Sequence, residues 1–235
     1  GDLRLIPSSG AVEAVWLPLT HLSELEEPDR KKIQEAWQNF LNAYREGGEE
    51  NLKKTLGIFM ETAFEKHPSA KPASWRLSLE VGYHRMHMLR TTWVLYFIAG
   101  LLFILSLIRR SRSWHTGAMA LFIFAFLYHL AGIVMRVILS GRPPVSNFYE
   151  SMLWLAFITA LLGMLFELKL RVSYLGLSAA LFGGVTLLLS EHLPLDPAIQ
   201  PIVAVLRSNK WLAIHVLTIV SSYGALTLAT GIAHI

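Results

Sequence analysis

His215 lies about one helical turn inside a hydrophobic segment, in the run Trp211-Leu212-Ala213-Ile214-His215-Val216. An imidazole at a membrane face can bind iron or carry protons, whereas a structural anchor there is more commonly Trp, Tyr, Lys or Arg. The plainer reading is a helix-end histidine hydrogen-bonded to a neighbour, and position alone favours it. A second pair, His129 and Arg136, sits inside another apolar segment. Seven residues of separation put both on one helix face, about 10 Å apart along the axis. An ionisable residue at membrane depth is a functional hypothesis by default. The alternative is a neutral histidine bonded to a neighbouring helix, with Arg136 snorkelling outward. Arg136 can also pair with an anionic ligand such as a carboxylate.

The string Gly141-Arg142-Pro143-Pro144-Val145-Ser146-Asn147-Phe148-Tyr149-Glu150-Ser151 follows. Its prolines force a stiff, extended path. Ser146 or Asn147 can cap the next helix, and Glu150 suits its first turn. Capping explains neither the string's length nor its aromatic pair. Elsewhere, His84 and His87 are three apart and can share a face as metal ligands do, but no third ligand is near. The absence of cysteine excludes disulfides, zinc-thiolate sites, iron–sulfur clusters and thiol catalysis by this chain.

These residues need a membrane scaffold to position them. The 235 residues are 53% hydrophobic and only 16% charged, with a mean hydropathy of +0.44. Soluble domains carry about 25% charged residues. Here the charges crowd the first 90 or so positions, as in a soluble portion joined to a membrane portion. The pI near 9.4 does not indicate nucleic acid, because the basic residues lie mainly at helix ends, where they set membrane orientation. The start Gly1-Asp2-Leu3-Arg4 shows no secretory leader, and Ile235 falls within an apolar run. Both features suggest a piece of a longer chain.

Residues 1–85 read as a small, mostly helical region. Residues 3–19 are expected to be extended or loop-like. A helix opening at Glu27-Pro28-Asp29 carries an apolar stripe of Ile33, Trp37, Phe40, Leu41 and Tyr44 and ends at Gly47-Gly48. A second, over Asn51–Lys66, presents Leu52, Leu56, Phe59, Met60 and Ala63, completing a helical hairpin. A third starts near Ser74 and runs towards the membrane. Residues 86–235 form an all-α membrane bundle of about five spans, at 91–108, 116–139, 151–168, 172–190 and 211–235. Arg109, Arg110, Arg112, Lys169 and Arg171 fall on one side of alternating spans, which the positive-inside rule makes cytoplasmic. The N-terminal region, residues 141–150, the loop 191–210 and His215 then share the outer side.

The stretch from His129 through Gly141–Ser151 into Met152-Leu153-Trp154 resembles the CcsA family of cytochrome c assembly proteins. Its members show an arginine and then Gly-x-x-Pro-x-Ser-Asn-x-Tyr-Glu-Ser entering a membrane helix. Trp211-Leu212-Ala213-Ile214-His215-Val216, continuing to Ser222-Tyr223-Gly224-Ala225-Leu226, resembles a second family string. The two lie in the right order and bracket residues 129–226. The part before them, with Glu80 and Tyr83, looks like the junction of fused ResB–CcsA proteins.

The resemblance implies haem handling in system II maturation of c-type cytochromes. The haem, haem b as substrate and ligand, would be joined to apocytochrome c by the full-length protein acting as a synthase. His215 would be one of two outward-facing iron ligands. The family's Trp-Gly-x-x-Trp-x-Trp-Asp signature and second outer histidine do not occur here, so the piece alone is expected to be inactive. His129 is a further candidate for the iron. Arg136, Arg142 and Arg207 are candidates to meet a haem propionate, with Trp211 beside His215, and Tyr149 and Glu150 hold the outer loop. The implied partners are apocytochrome c, a ResB-like subunit or fused domain, haem and the bilayer, with no nucleic acid. The implied location is the inner (plasma) membrane, with the N-terminal region outside. Two competing readings remain at this level. One is a transporter or channel using His129, Arg136 and the Gly183-Gly184 pair, though no internal repeat is visible. The other is a membrane scaffold in which His215 merely caps a bundle.

Overall fold

A computed structural model of the chain describes residues 4–8, 15–66, 68, 73–195 and 210–234. The chain divides into two compact units, Gly1–Ser74 and Trp75–Ile235. In the first, the extended stretch forms two antiparallel strands, β1 (Arg4–Ser8) and β2 (Val15–Pro18), with Ile6 opposite Leu17. A short 3-10 turn (Leu19–Glu24) leads into the helices α1 (Glu27–Glu46) and α2 (Glu49–Phe64). Pro28 sits in the first turn of α1, where its missing N–H costs nothing. Gly47, at φ +70°, ends the helix in a conformation that L side chains resist.

The core of this unit gathers Ile6, Leu22, Ile33, Ala36, Phe59, Ala63 and Phe64. The expected α1 stripe is shifted at its far end: Ala36 and Ala43 are buried, while Tyr44 is 69% exposed. Small alanines face inward there, and the bulky ring rides outside. On α2, Leu56 is likewise exposed, and Phe59 and Ala63 carry the burial.

The second unit is helical among its described residues: α3 (Ser74–Met86), α4 (Met88–Arg109), α5 (Arg112–Ser140), α6 (Phe148–Leu170), α7 (Tyr174–His192) and α8 (Lys210–Ala233). Among the described residues, five segments are long and apolar enough to cross a membrane, the first being Ser74–Arg109, which joins α3 and α4. The fold is an all-α polytopic membrane bundle. Between α3 and α4, His87 adopts a left-handed conformation, φ 42°. The Met86 carbonyl at this break accepts from the Tyr128 hydroxyl at 3.2 Å.

Helix α7 packs against α4, α6 and α8. Small residues make the approach possible, since lipid offers no hydrophobic drive between helices. A Cβ on Gly163 of α6 would lie 2.1 Å from that of Ala179, and one on Gly176 of α7 would lie 2.4 Å from the Phe103 ring. The contacts also fix direction. Arg90 and Ser106 of α4 meet Glu191 and Ser173 around α7, so those helices run antiparallel. Trp154 and Thr159 of α6 meet Ser221 and Gly224 of α8, so those run parallel. One end of the bundle therefore holds the start of α6, the end of α5 and the start of α8. The other holds the basic turns 109–112 and 169–173.

Candidate functional site

At the α6 N-terminal end, Asn147 is the helix cap: its side chain accepts from Glu150 N–H at 2.7 Å. This fixes the first turn and turns the Glu150 carboxylate back towards the preceding loop. There it is 1% exposed. One oxygen accepts from Arg136 Nε and from Arg142 Nη2, both at 3.1 Å. The other accepts from the Ser146 backbone N–H at 2.9 Å and from its hydroxyl. The stiff Pro143-Pro144 segment closes the short loop that makes this convergence possible. Arg136 and Arg142 are themselves 3% and 8% exposed. The Arg136 guanidinium also lies over the Tyr149 ring, 5.0 Å from its centroid.

One carboxylate thus serves two buried guanidiniums. Arg136 Nη2 and Arg142 Nε have no hydrogen-bond partner. Buried charge is expensive when unpaired, so this end of the bundle carries a surplus suited to an anion. Arg136 and Tyr149 line a cavity of about 390 Å³, together with His84, His87, Arg90 and Glu191. The last two form an ion pair at 2.6 Å. Sequence spacing linked His84 with His87; the break at His87 brings both to the wall of this cavity. No group of three metal-ligating side chains occurs among the described residues.

His129 is fully enclosed, and its Nδ1 lies 3.2 Å from the Tyr96 hydroxyl. The rings of Tyr96 and Phe157 stand edge-on to it at 6.0 and 5.8 Å. Its Nε2 has no partner. Arg136 does not snorkel; it turns inward to Glu150. His215 is exposed on α8, whose buried stripe of Gly224, Leu228 and Gly231 lies on the opposite side of the helix. The parallel register of α6 and α8 places His215 level with the first turn of α6. Trp211, one turn earlier, is 79% exposed. Arg207 lies outside the described residues.

Sequence reasoning missed a second polar cluster, at the α6 C-terminal end. Glu167, 0% exposed, accepts from the Ser173 N–H at 2.7 Å and the Gly176 N–H at 3.0 Å. Ser173 Oγ lies 2.7 Å from Ser106 Oγ and 2.8 Å from His115 Nδ1. The available signal was a lone glutamate closing an apolar span, three residues before the α7 turn. Tyr96, the partner of His129, was equally invisible, because a tyrosine in an apolar run reads as core.

No family model matches the chain. It is 28% identical to Protein NrfI of Wolinella succinogenes over 94% of its length and 25% of the relative's. It is 35% identical to the cytochrome c biogenesis protein CcsA of Chlorella vulgaris, over 43% of this chain and 32% of the relative. It is 37% identical to CcsA of Synechococcus sp. (strain CC9311), over 43% of this chain and 33% of the relative. The chain thus spans a quarter to a third of the length of the curated relatives it matches. The likeness to the CcsA family of cytochrome c assembly proteins, read first from two short strings, is borne out by these relatives.

Proposed function

We propose that this chain, a relative of CcsA proteins, handles haem in c-type cytochrome maturation, with His215 as an outward-facing axial ligand. The observation that carries the reading is the surplus of buried positive charge at the level of His215. Arg136 and Arg142 share one carboxylate, and each keeps an unpartnered nitrogen. A haem propionate is the kind of acid that such a nitrogen would take. The cavity beside Arg136 falls within the roughly 300–1,000 Å³ of ordinary ligand clefts. The donor set fits the group: an exposed imidazole for iron, guanidinium for carboxylate, and apolar helix surface for the macrocycle. When bound, the haem supplies the redox and attachment chemistry. This chain's residues hold and orient it. Glu150 keeps the two arginines in place, and Asn147 and Ser146 keep Glu150 in place. Trp211 would shield one side of His215.

His129 serves this reading less directly. Its enclosure by rings suits a hydrogen bond that locks α4 to α5 better than it suits iron. Apocytochrome c would receive the haem, with a ResB-like subunit or fused domain as a further partner. The His215 end would face outward from the inner membrane, with the N-terminal unit on that side, because the turns 109–112 and 169–171 are the basic ones.

Visible absorption of the full-length protein, expressed with ample haem, tests the reading. The expected Soret band weakens or shifts in His215→Ala and in Arg136→Met, with imidazole restoring the first. A protein that takes up no haem, or a band indifferent to His215→Ala, would remove the basis of the proposal.

A further inference from the structure

The α6 C-terminal end holds a larger cavity, about 720 Å³, that the haem reading does not use. Arg110, Arg112 and Arg171 line it, with Ser106, His115 and Ser173 among the other walls. No aspartate or glutamate lines it, and none of the three arginines forms an ion pair among the described residues. The nearest buried carboxylate, Glu167, is already held by two backbone N–H groups. Three residues that line this cavity have positive φ: Arg110 and Arg171 as the left-handed ends of α4 and α6, and Ser173 at the start of α7. Part of the wall is apolar, from Leu107, Met119 and Leu168. Unpaired guanidiniums, hydroxyls and an apolar flank at a membrane-bundle end match an amphiphile with an anionic phosphate head.

We propose that this cavity is a binding site for the headgroup of an anionic phospholipid drawn from the surrounding bilayer. The phosphate would meet Arg110 and Arg171, and the acyl chains would leave along Leu107 and Leu168. This is independent of haem and of the opposite end of the bundle.

The test is native mass spectrometry of the full chain in neutral detergent, titrated with dioleoylphosphatidylglycerol or dioleoylphosphatidylcholine. One phosphatidylglycerol per chain is expected to bind in preference to phosphatidylcholine. R110Q/R171Q should weaken that adduct by at least about tenfold. R109Q/K169Q removes the same charge from the same end outside the cavity lining and should leave the adduct intact. R110K/R171K keeps the charge that sets orientation, loses the bidentate fork, and should bind measurably more weakly than the parent. Equal loss in R109Q/K169Q, equal binding of phosphatidylcholine, or an unchanged R110K/R171K would overturn the site. Thermal protection by inorganic phosphate matching that by phosphatidylglycerol would overturn the lipid as its occupant.

Discussion

Helix α6 buries one glutamate at each end, and the two carboxylates are held by different kinds of partner. Glu150, at the start, is met by two guanidiniums, a hydroxyl and a backbone N–H. Glu167, about 25 Å further along the axis, is met by N–H groups at the start of α7, with His115 at 3.6 Å. The second arrangement uses the partial positive charge of a helix N-terminus and stays within one connection. It is locally complete. The first brings in two full charges from other segments and overshoots, leaving donors unpartnered. A turn that only needed tying would be served by the economical solution, as the far end demonstrates. The overshoot is what makes the Glu150 cluster a candidate for binding, whereas the Glu167 carboxylate is fully met and acts as a clamp beside the arginine-lined cavity.

The sharpest test of that contrast removes each carboxylate. Glu150→Ala strands two buried arginines and is expected to cost about 3–5 kcal/mol. Thermal unfolding in detergent against the parent would read it. Replacing Arg136, Arg142 and Glu150 together by Met, Met and Leu should recover most of that stability, since a buried ionic triad often breaks even with apolar packing. Glu167→Gln is expected to cost less, about 1–3 kcal/mol. The amide oxygen can still accept one N–H, and no full charge is left behind. Equal costs at the two ends would mean that the arginines are held by contacts other than Glu150.

Much of this was legible in the chain. Long apolar runs fixed the spans, because a bilayer demands length and uniformity over any finer pattern. Asn147 and Glu150 announced the start of α6 through capping chemistry. What could not be read was pairing across helices. Arg136 looked free to snorkel, because its partner lies fourteen positions away, beyond a loop whose path two prolines set. Tyr96 and His129 meet only because α4 and α5 run antiparallel. The α1 stripe was misplaced at Tyr44 because alanine, which signals little by pattern, is what helix contacts select. The exposed face of α8 at His215 follows from which side its glycines take, and glycine spacing reveals the contact side only once the neighbours are known.

The smallest expected effects separate the two helix starts. The start of α6 is capped by its own Asn147 side chain, so Asn147→Ala should cost about 1 kcal/mol. The start of α7 is different: Ser173 makes no side-chain cap bond, and Glu167 from the preceding helix does that work. Ser173 also pays for a φ of 65°. Ser173→Gly therefore relieves a strain of about 1 kcal/mol while losing hydroxyl bonds of about the same worth. Its unfolding midpoint should stay close to the parent's. A loss as large as that of Asn147→Ala would show that the Ser106–Ser173–His115 hydroxyl chain, rather than the Glu167 carboxylate, holds the far turn closed. The contrast between an overshooting Glu150 cluster and a self-sufficient Glu167 cluster would then have to be redrawn around side-chain hydroxyls.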